Sequence, residues 1–269
     1  MTYARDERLA LCSLLDEVGP GAPTLCDGWR TADLAAHLVL RERRPDAGLG
    51  MLGGPLARYT RRLQQGLAGR TPYPQLVRTV RTGPPRLSVF GLPGVDERAN
   101  LVEFFVHHED VRRAQDGWQP RDLDPGLSEA LWKGLRMAKF ILRRAPVGVE
   151  LARQEPGPAA DASAADRSGQ ADRAGQADRA GHADSAGRVD GAGPADGQVR
   201  ADGAAGGGRE TPAPGPVRIT ARAAAPMVTV IGSPAELTMW ALGRTSAARV
   251  RLDGSEADVE ALSQATWRL

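Results

Sequence analysis

Glu103 lies inside the run Leu101-Val102-Glu103-Phe104-Phe105-Val106-His107. A carboxylate in so apolar a helical stretch loses its hydration when the helix packs, and an unpaired buried charge is very costly. It needs a cation, a hydrogen-bonded partner or a raised pKa. His107 follows four residues later, on the same face one turn along. Glu-x-x-x-His thus presents an oxygen and an imidazole nitrogen to a common point, a pair that suits a divalent metal, Zn²⁺ above the others. His37, in Ala35-Ala36-His37-Leu38, is the one other histidine on an apolar helical face. Two helices of a bundle can bring the three side chains together. Three protein ligands leave one tetrahedral position open, as in reactive rather than structural zinc sites. A plainer reading stands beside this one. Glu103 and His107 can pair with each other or with arginines, and a core histidine is more often hydrogen-bonded than metal-bound. His108 adjoins His107, but neighbouring residues on a helix point apart, so it is expected behind the ligands or exposed.

The elements that must carry these residues read as amphipathic helices. Residues 4–18 place Leu11, Leu14, Leu15 and Val18 at helical spacing before Gly19-Pro20. Residues 31–44 open with Thr31 as the expected N-cap and align Leu34, His37, Leu38 and Arg41, with Pro45 as the stop. A more polar helix is expected over 55–68 through Leu56, Tyr59, Leu63 and Leu67, and a short one over 73–81. The most apolar, 96–115, carries Glu103 and His107; another spans 126–144. Short connections between such helices predict an antiparallel bundle.

The end of the chain differs. Val217–Ala221, Met227–Ile231 and Ala248–Leu252 read as strands. Ser233-Pro234-Ala235-Glu236 is a capping box with proline at the first helical position, and Ser255 with Asp258 opens a last helix. Between these parts, residues 155–216 contain no Leu, Ile, Met, Phe, Trp or Tyr, and Asp recurs every six residues from Asp166 to Asp202. A β-helix needs an aliphatic side chain in each rung, which alanine cannot supply. The repeat is expected to be a disordered Ala/Gly/Asp/Arg linker. The expected organisation is a metal-binding helical bundle over 1–151, the linker over 152–216 and a small α+β domain over 217–269.

Composition narrows the function classes. The 269 residues carry a net charge of +2, and the 62 residues of 155–216 hold 10 acids and 6 arginines, leaving the remainder at +6. The arginines read as scattered among acids instead of concentrated for phosphate recognition, which disfavours nucleic acid as a partner. No run approaches the roughly 18–20 apolar residues of a membrane helix, and the N-terminus shows no signal-peptide pattern. A cytoplasmic protein without a membrane partner is expected, its two cysteines, Cys12 and Cys26, kept as thiols.

The segment from Thr24 to Leu38, Thr-Leu-Cys-Asp-Gly-Trp-Arg-Thr-Ala-Asp-Leu-Ala-Ala-His-Leu, resembles the opening signature of the mycothiol-dependent maleylpyruvate isomerase metal-binding domain family, within the DinB-like superfamily. Asn100-Leu-Val-Glu-Phe-Phe-Val-His-His-Glu-Asp-Val-Arg-Arg-Ala114 resembles its second signature, closest to an actinobacterial metal-binding subgroup. The resemblance covers about residues 1–150. Gly232–Leu237 and Trp240–Arg244 resemble the small C-terminal domain that often follows, and the repeat stands outside the pattern. It implies a mainly α fold, a DinB-like antiparallel four-helix bundle followed by a small α+β domain. It also implies a metal held by His37, Glu103 and His107. Zn²⁺ or another divalent ion would there activate a small-molecule thiol, mycothiol in actinobacteria, toward an electrophilic substrate in an isomerisation or S-transfer. Arg41, Arg112, Arg113 and Arg244 are candidates to hold an acidic substrate or the cofactor. A non-catalytic metal-binding sensor or interaction module is the alternative. Cys26 reads as a small buried residue beside Trp29, with a reactive thiol as the other possibility, and Trp29 as a lock for the loop.

Overall fold

The computed structural model describes residues 2–44, 57–85, 95–154 and 217–265. The expected 152–216 linker therefore lies almost wholly outside the described residues. The described residues all belong to one compact unit, Met1–Glu155 with Pro216–Leu269. The described chain is mainly helical with one small sheet.

The helices are α1 (Tyr3–Val18), α2 (Thr31–Arg43), α3 (Ala57–Arg70), α4 (Tyr73–Thr82), α5 (Val95–Arg112) and α6 (Pro125–Gly134). Leu11 and Leu15 of α1, Leu34 and Leu38 of α2, Leu76 and Val80 of α4, and Phe104 of α5 form one buried cluster. These are the three- and four-residue stripes read from the sequence. Several boundaries differ from expectation, among them the helix expected over 96–115, which ends at Arg112, and the strand expected over Ala248–Leu252, which is Arg251–Asp253; two of the differences have a clear physical reason. Thr31 is the first helical residue, not the cap: Arg30 precedes α2, its N–H donates to Asp33 Oδ2 (3.0 Å), and the Thr31 hydroxyl instead donates to the Gly19 carbonyl. The expected helix over 126–144 is broken. It leaves α geometry after Gly134, passes through a 3₁₀ turn (Leu135–Met137), one α turn α7 (Ala138–Ile141) and a second 3₁₀ turn (Leu142–Arg144). Trp132, Leu135, Ala138 and Leu142 all face one core, and the tighter turns keep them aligned over that face.

The sheet has the order β2-β1-β3-β4, with β1 (Gly148–Arg153), β2 (Arg218–Arg222), β3 (Met227–Gly232) and β4 (Arg251–Asp253). β1 pairs antiparallel with β2 and parallel with β3; β3 pairs antiparallel with β4. Gly148–Arg153, divided by the sequence reading between the bundle (to 151) and the linker (from 152), is thus a central strand of the C-terminal sheet. Val149, Leu151, Val228 and Val230 pack beneath α8 (Pro234–Ala241) and α9 (Glu256–Gln264) through Leu237, Trp240 and Leu262. Serine caps both helices as expected, Ser233 Oγ accepting from Glu236 N (3.4 Å) and Ser255 Oγ from Asp258 N (3.3 Å), but the Glu236 carboxylate turns to Arg113 and does not complete the expected capping box. The C-terminal part is not a separate body. Ala4, Phe105 and Leu131 share a buried cluster with Ala235 and Met239 of α8. Among the described residues no helix is long and apolar enough to cross a membrane.

Candidate metal centre

α2 and α5 bring the three expected ligands together. His37 Nε2 stands 3.2 Å from Glu103 Oε1, and His107 Nε2 stands 3.3 Å from the same oxygen. The two imidazoles meet edge to face, ring centres 5.2 Å apart. One ligand atom from each residue lies within 4.8 Å of the others, a spacing that could hold a metal ion. Helix geometry explains the convergence: Glu103 and His107 are one turn apart on α5, and His37 faces them because Leu34 and Leu38 anchor α2 in the core. The ring of Trp29 lies 5.0 Å from that of His37. Trp29 therefore packs against a candidate ligand.

The groups around the cluster set its charge. Burial works against ionisation of Glu103, but hydrogen bonds from His107 and His37 and the charges of His107 and Arg41 outweigh it, holding the carboxyl well below its usual range. Burial likewise disfavours a charged His107, yet bonds to Asp110, Cys26 and Glu103 raise it well above an ordinary histidine. His37 shifts down, chiefly by burial, with Glu103 opposing. These shifts favour the charged form of His107, between Glu103 and Asp110, and the neutral form of His37. Taking up a cation requires that His107 Nε2 lose its proton.

Asp110 is the residue the sequence reading missed. Its fully buried carboxylate accepts from His107 Nδ1 at 2.9 Å. That bond holds the proton on Nδ1 and turns Nε2 toward Glu103 and His37, as a carboxylate behind a metal-bound histidine does. The signal was present as His-x-x-Asp, one turn on. Arg244, after α8, fixes Asp110 in turn through Nε to Oδ1 (2.9 Å) and Nη2 to Oδ2 (2.6 Å). Cys26 Sγ donates to Asp110 Oδ2 (3.2 Å), so Cys26 is a hydrogen-bonding member of the centre and not an apolar filler. Cys26, His107 and Asp110 form a second group at metal-ligand spacing. The Arg244 guanidinium already supplies the cation there, 3.6 Å from the sulfur as well. Arg41 stands against the first group in the same way, its Nε 3.3 Å from Glu103 Oε1, so each group has a guanidinium beside it.

The four arginine candidates separate. Arg112 pairs with Glu109 and donates to the Gln119 carbonyl, and Arg113 is buried between Glu109 and Glu236. Both are structural. Arg41 Nε lies 3.3 Å from Glu103 Oε1, and Arg244 sits on Asp110, so these two border the centre. His108 is neither exposed nor behind the candidate ligands: it is buried on an adjoining face of α5, with Nδ1 2.9 Å from Glu7 Oε2 of α1.

Asp110→Asn is expected to weaken zinc binding by about 10- to 100-fold, the usual effect of removing a carboxylate behind a ligating histidine. Competition with a chromophoric chelator measures this, and an unchanged affinity would remove Asp110 from that role.

No family model, curated protein or solved structure matches this chain.

Proposed function

We propose that this chain is a zinc protein in which His37, Glu103 and His107 hold the ion, and that it acts as a thiol-dependent isomerase or S-transferase using mycothiol or a similar small thiol. The observation that carries the reading is the meeting of two histidine nitrogens and one carboxylate oxygen from two helices within 4.8 Å. This donor set fits zinc with a position left for a fourth ligand. Zinc, when bound, lowers the pKa of a thiol or water at that position, giving an anionic nucleophile near neutral pH. The protein's own residues prepare the place. Glu103 stays ionised as the negative ligand, and Asp110 keeps the His107 proton on Nδ1. Arg41 and Arg244 offer positive charge to an acidic electrophile. In the same reading α1, α2, α4 and α5 are the four helices of a DinB-like bundle, supported by the core cluster those four share.

A metal-binding protein without turnover, serving as sensor or interaction module, is the second reading. It is favoured by Arg41, whose Nε contacts the same Glu103 oxygen that faces both histidines and narrows the room for a substrate.

Elemental analysis of the purified protein beside Glu103→Ala tests the common premise. About one zinc per chain, absent from the variant, is the expected result. A folded wild type without metal would reduce Glu103 and His107 to a helical ion pair and remove both readings. With metal present, binding of a small thiol to the cobalt-substituted protein, seen as a thiolate-to-metal absorption band, separates the enzyme from the sensor.

A further inference from the structure

The segment from 47 to 95 contains seven arginines and no aspartate or glutamate. A charge run of this kind usually reflects a solvated face, but two of these arginines, Arg62 and Arg70 on α3, border a cleft. Between α2 and α3 lies a cavity of about 540 Å³, within the size range of small-molecule sites. Leu40, Leu63 and Leu67 line it with apolar surface, and Arg44, Arg62 and Arg70 stand around it. On α3 the lining residues follow at three- and four-residue steps, so a single helical stripe presents both characters. Gly66 sits within that stripe, and a Cβ built there meets nothing within 4 Å, which marks open space over the helix. Arg62 and Arg70 have no carboxylate partner among the described residues. Arg62 is mid-helix, where no helix-end field accounts for a cation. The exposed Tyr59 adds a hydroxyl donor and a ring to the same lining.

We propose that this cleft binds an amphipathic organic anion, with a carboxylate or phosphate head among Arg62, Arg70 and Arg44 and an apolar body over Leu63, Gly66 and Leu67. Guanidinium groups bind both heads through charge-assisted hydrogen bonds, and the leucines supply the driving force for the body. The site is independent of the metal centre.

The test is isothermal titration calorimetry of the full chain with octanoate, octyl phosphate and 1-octanol. One anion per chain should bind, the octanoate and octyl phosphate arms deciding which head is preferred, while 1-octanol should not. Arg62→Gln combined with Arg70→Gln should weaken the anion roughly tenfold or more. Gly66→Leu should abolish binding without lowering the thermal midpoint, because leucine favours the helix over glycine and fills the cleft. Equal binding of 1-octanol, binding unaffected by both variants, or no binding of either anion at millimolar concentration would each overturn the proposal. So would binding of a single-stranded oligonucleotide that the arginine pair weakens and Gly66→Leu does not, which would make this a surface for nucleic acid.

Discussion

His107→Ala is expected to lower zinc affinity at least a hundredfold, whereas His108→Ala should leave it nearly unchanged and lower stability instead. A zinc site is worth roughly 10–16 kcal/mol, so one of three protein ligands carries about 3 kcal/mol or more. His107 also transmits the orientation set by Asp110, which alanine cannot. His108 lies on an adjoining face of α5. Its Nδ1 is bound to Glu7, a buried carboxylate that also receives Arg121 at 2.9 and 3.1 Å. Removing the imidazole leaves Glu7 one partner short but not bare, a loss of about 1–3 kcal/mol. Chelator competition and urea unfolding on the same two variants give the answer. Equal loss of zinc from both would mean that the ligands are wrongly assigned.

That pair of variants also shows what the sequence could and could not convey. The convergence of His37, Glu103 and His107 was legible because its logic is local: an i, i+4 pair on the most apolar helix and a histidine on a second apolar stripe. His108 was expected behind the candidate ligands or exposed, and it is neither, because it points into a second buried face of α5. α5 is packed on more than one side, with α1 covering the face that carries His108, and one helix cannot reveal how many neighbours it has. Asp110 was one turn from His107 and could have been found by the same spacing argument. Arg244 could not, since only the packing of α8 on α5 brings it within reach across 134 residues. β1 was hidden for a similar reason. Val147-Gly-Val-Glu-Leu151 is too short to declare itself after a helix, and its partners β2 and β3 come only after the long repeat. Scattered charge was an impression of the whole chain; the acid-free run over 47–95 stands in the sequence, but that Arg62 and Arg70 line one cleft is visible only when they are placed on α3.

Arg113→Met is expected to destabilise the fold by about 3–5 kcal/mol, as removal of one member of a buried ion pair does. The guanidinium is buried and fully engaged. Nε donates to Glu109 Oε2 (2.7 Å), Nη1 and Nη2 to the two oxygens of Glu236 (2.8 Å each), and Nη1 also to the Ala247 carbonyl (2.7 Å). These bonds tie the C-terminal end of α5 to the start of α8. Glu236, read from the sequence as half of a capping box, spends its carboxylate here and on the Arg249 N–H (2.7 Å). Methionine fills the space but leaves that carboxylate buried with one neutral donor. The penalty should depend on pH in a definite direction. Burial opposes ionisation of Glu109, but Arg121, Arg113 and Arg112 overcome it and lower its pKa from 4.5. A depressed folded-state pKa gives stability that is complete above the unfolded value and lost as pH falls through the folded one. Taking away Arg113 moves the folded pKa back up. The gap between wild type and variant should therefore be widest near pH 7 and narrow below about pH 4.5, where the carboxylates take up protons. Urea unfolding at pH 7 and pH 4 measures both. A gap under about 1 kcal/mol at pH 7, the size of an exposed pair, or one that widens in acid, would show that Arg113 does not join α5 to α8. If the tie is real, zinc affinity should fall as well, by less than in Asp110→Asn. Arg244 follows α8 by three residues, and it holds the carboxylate that orients His107 only while α8 stays seated on α5.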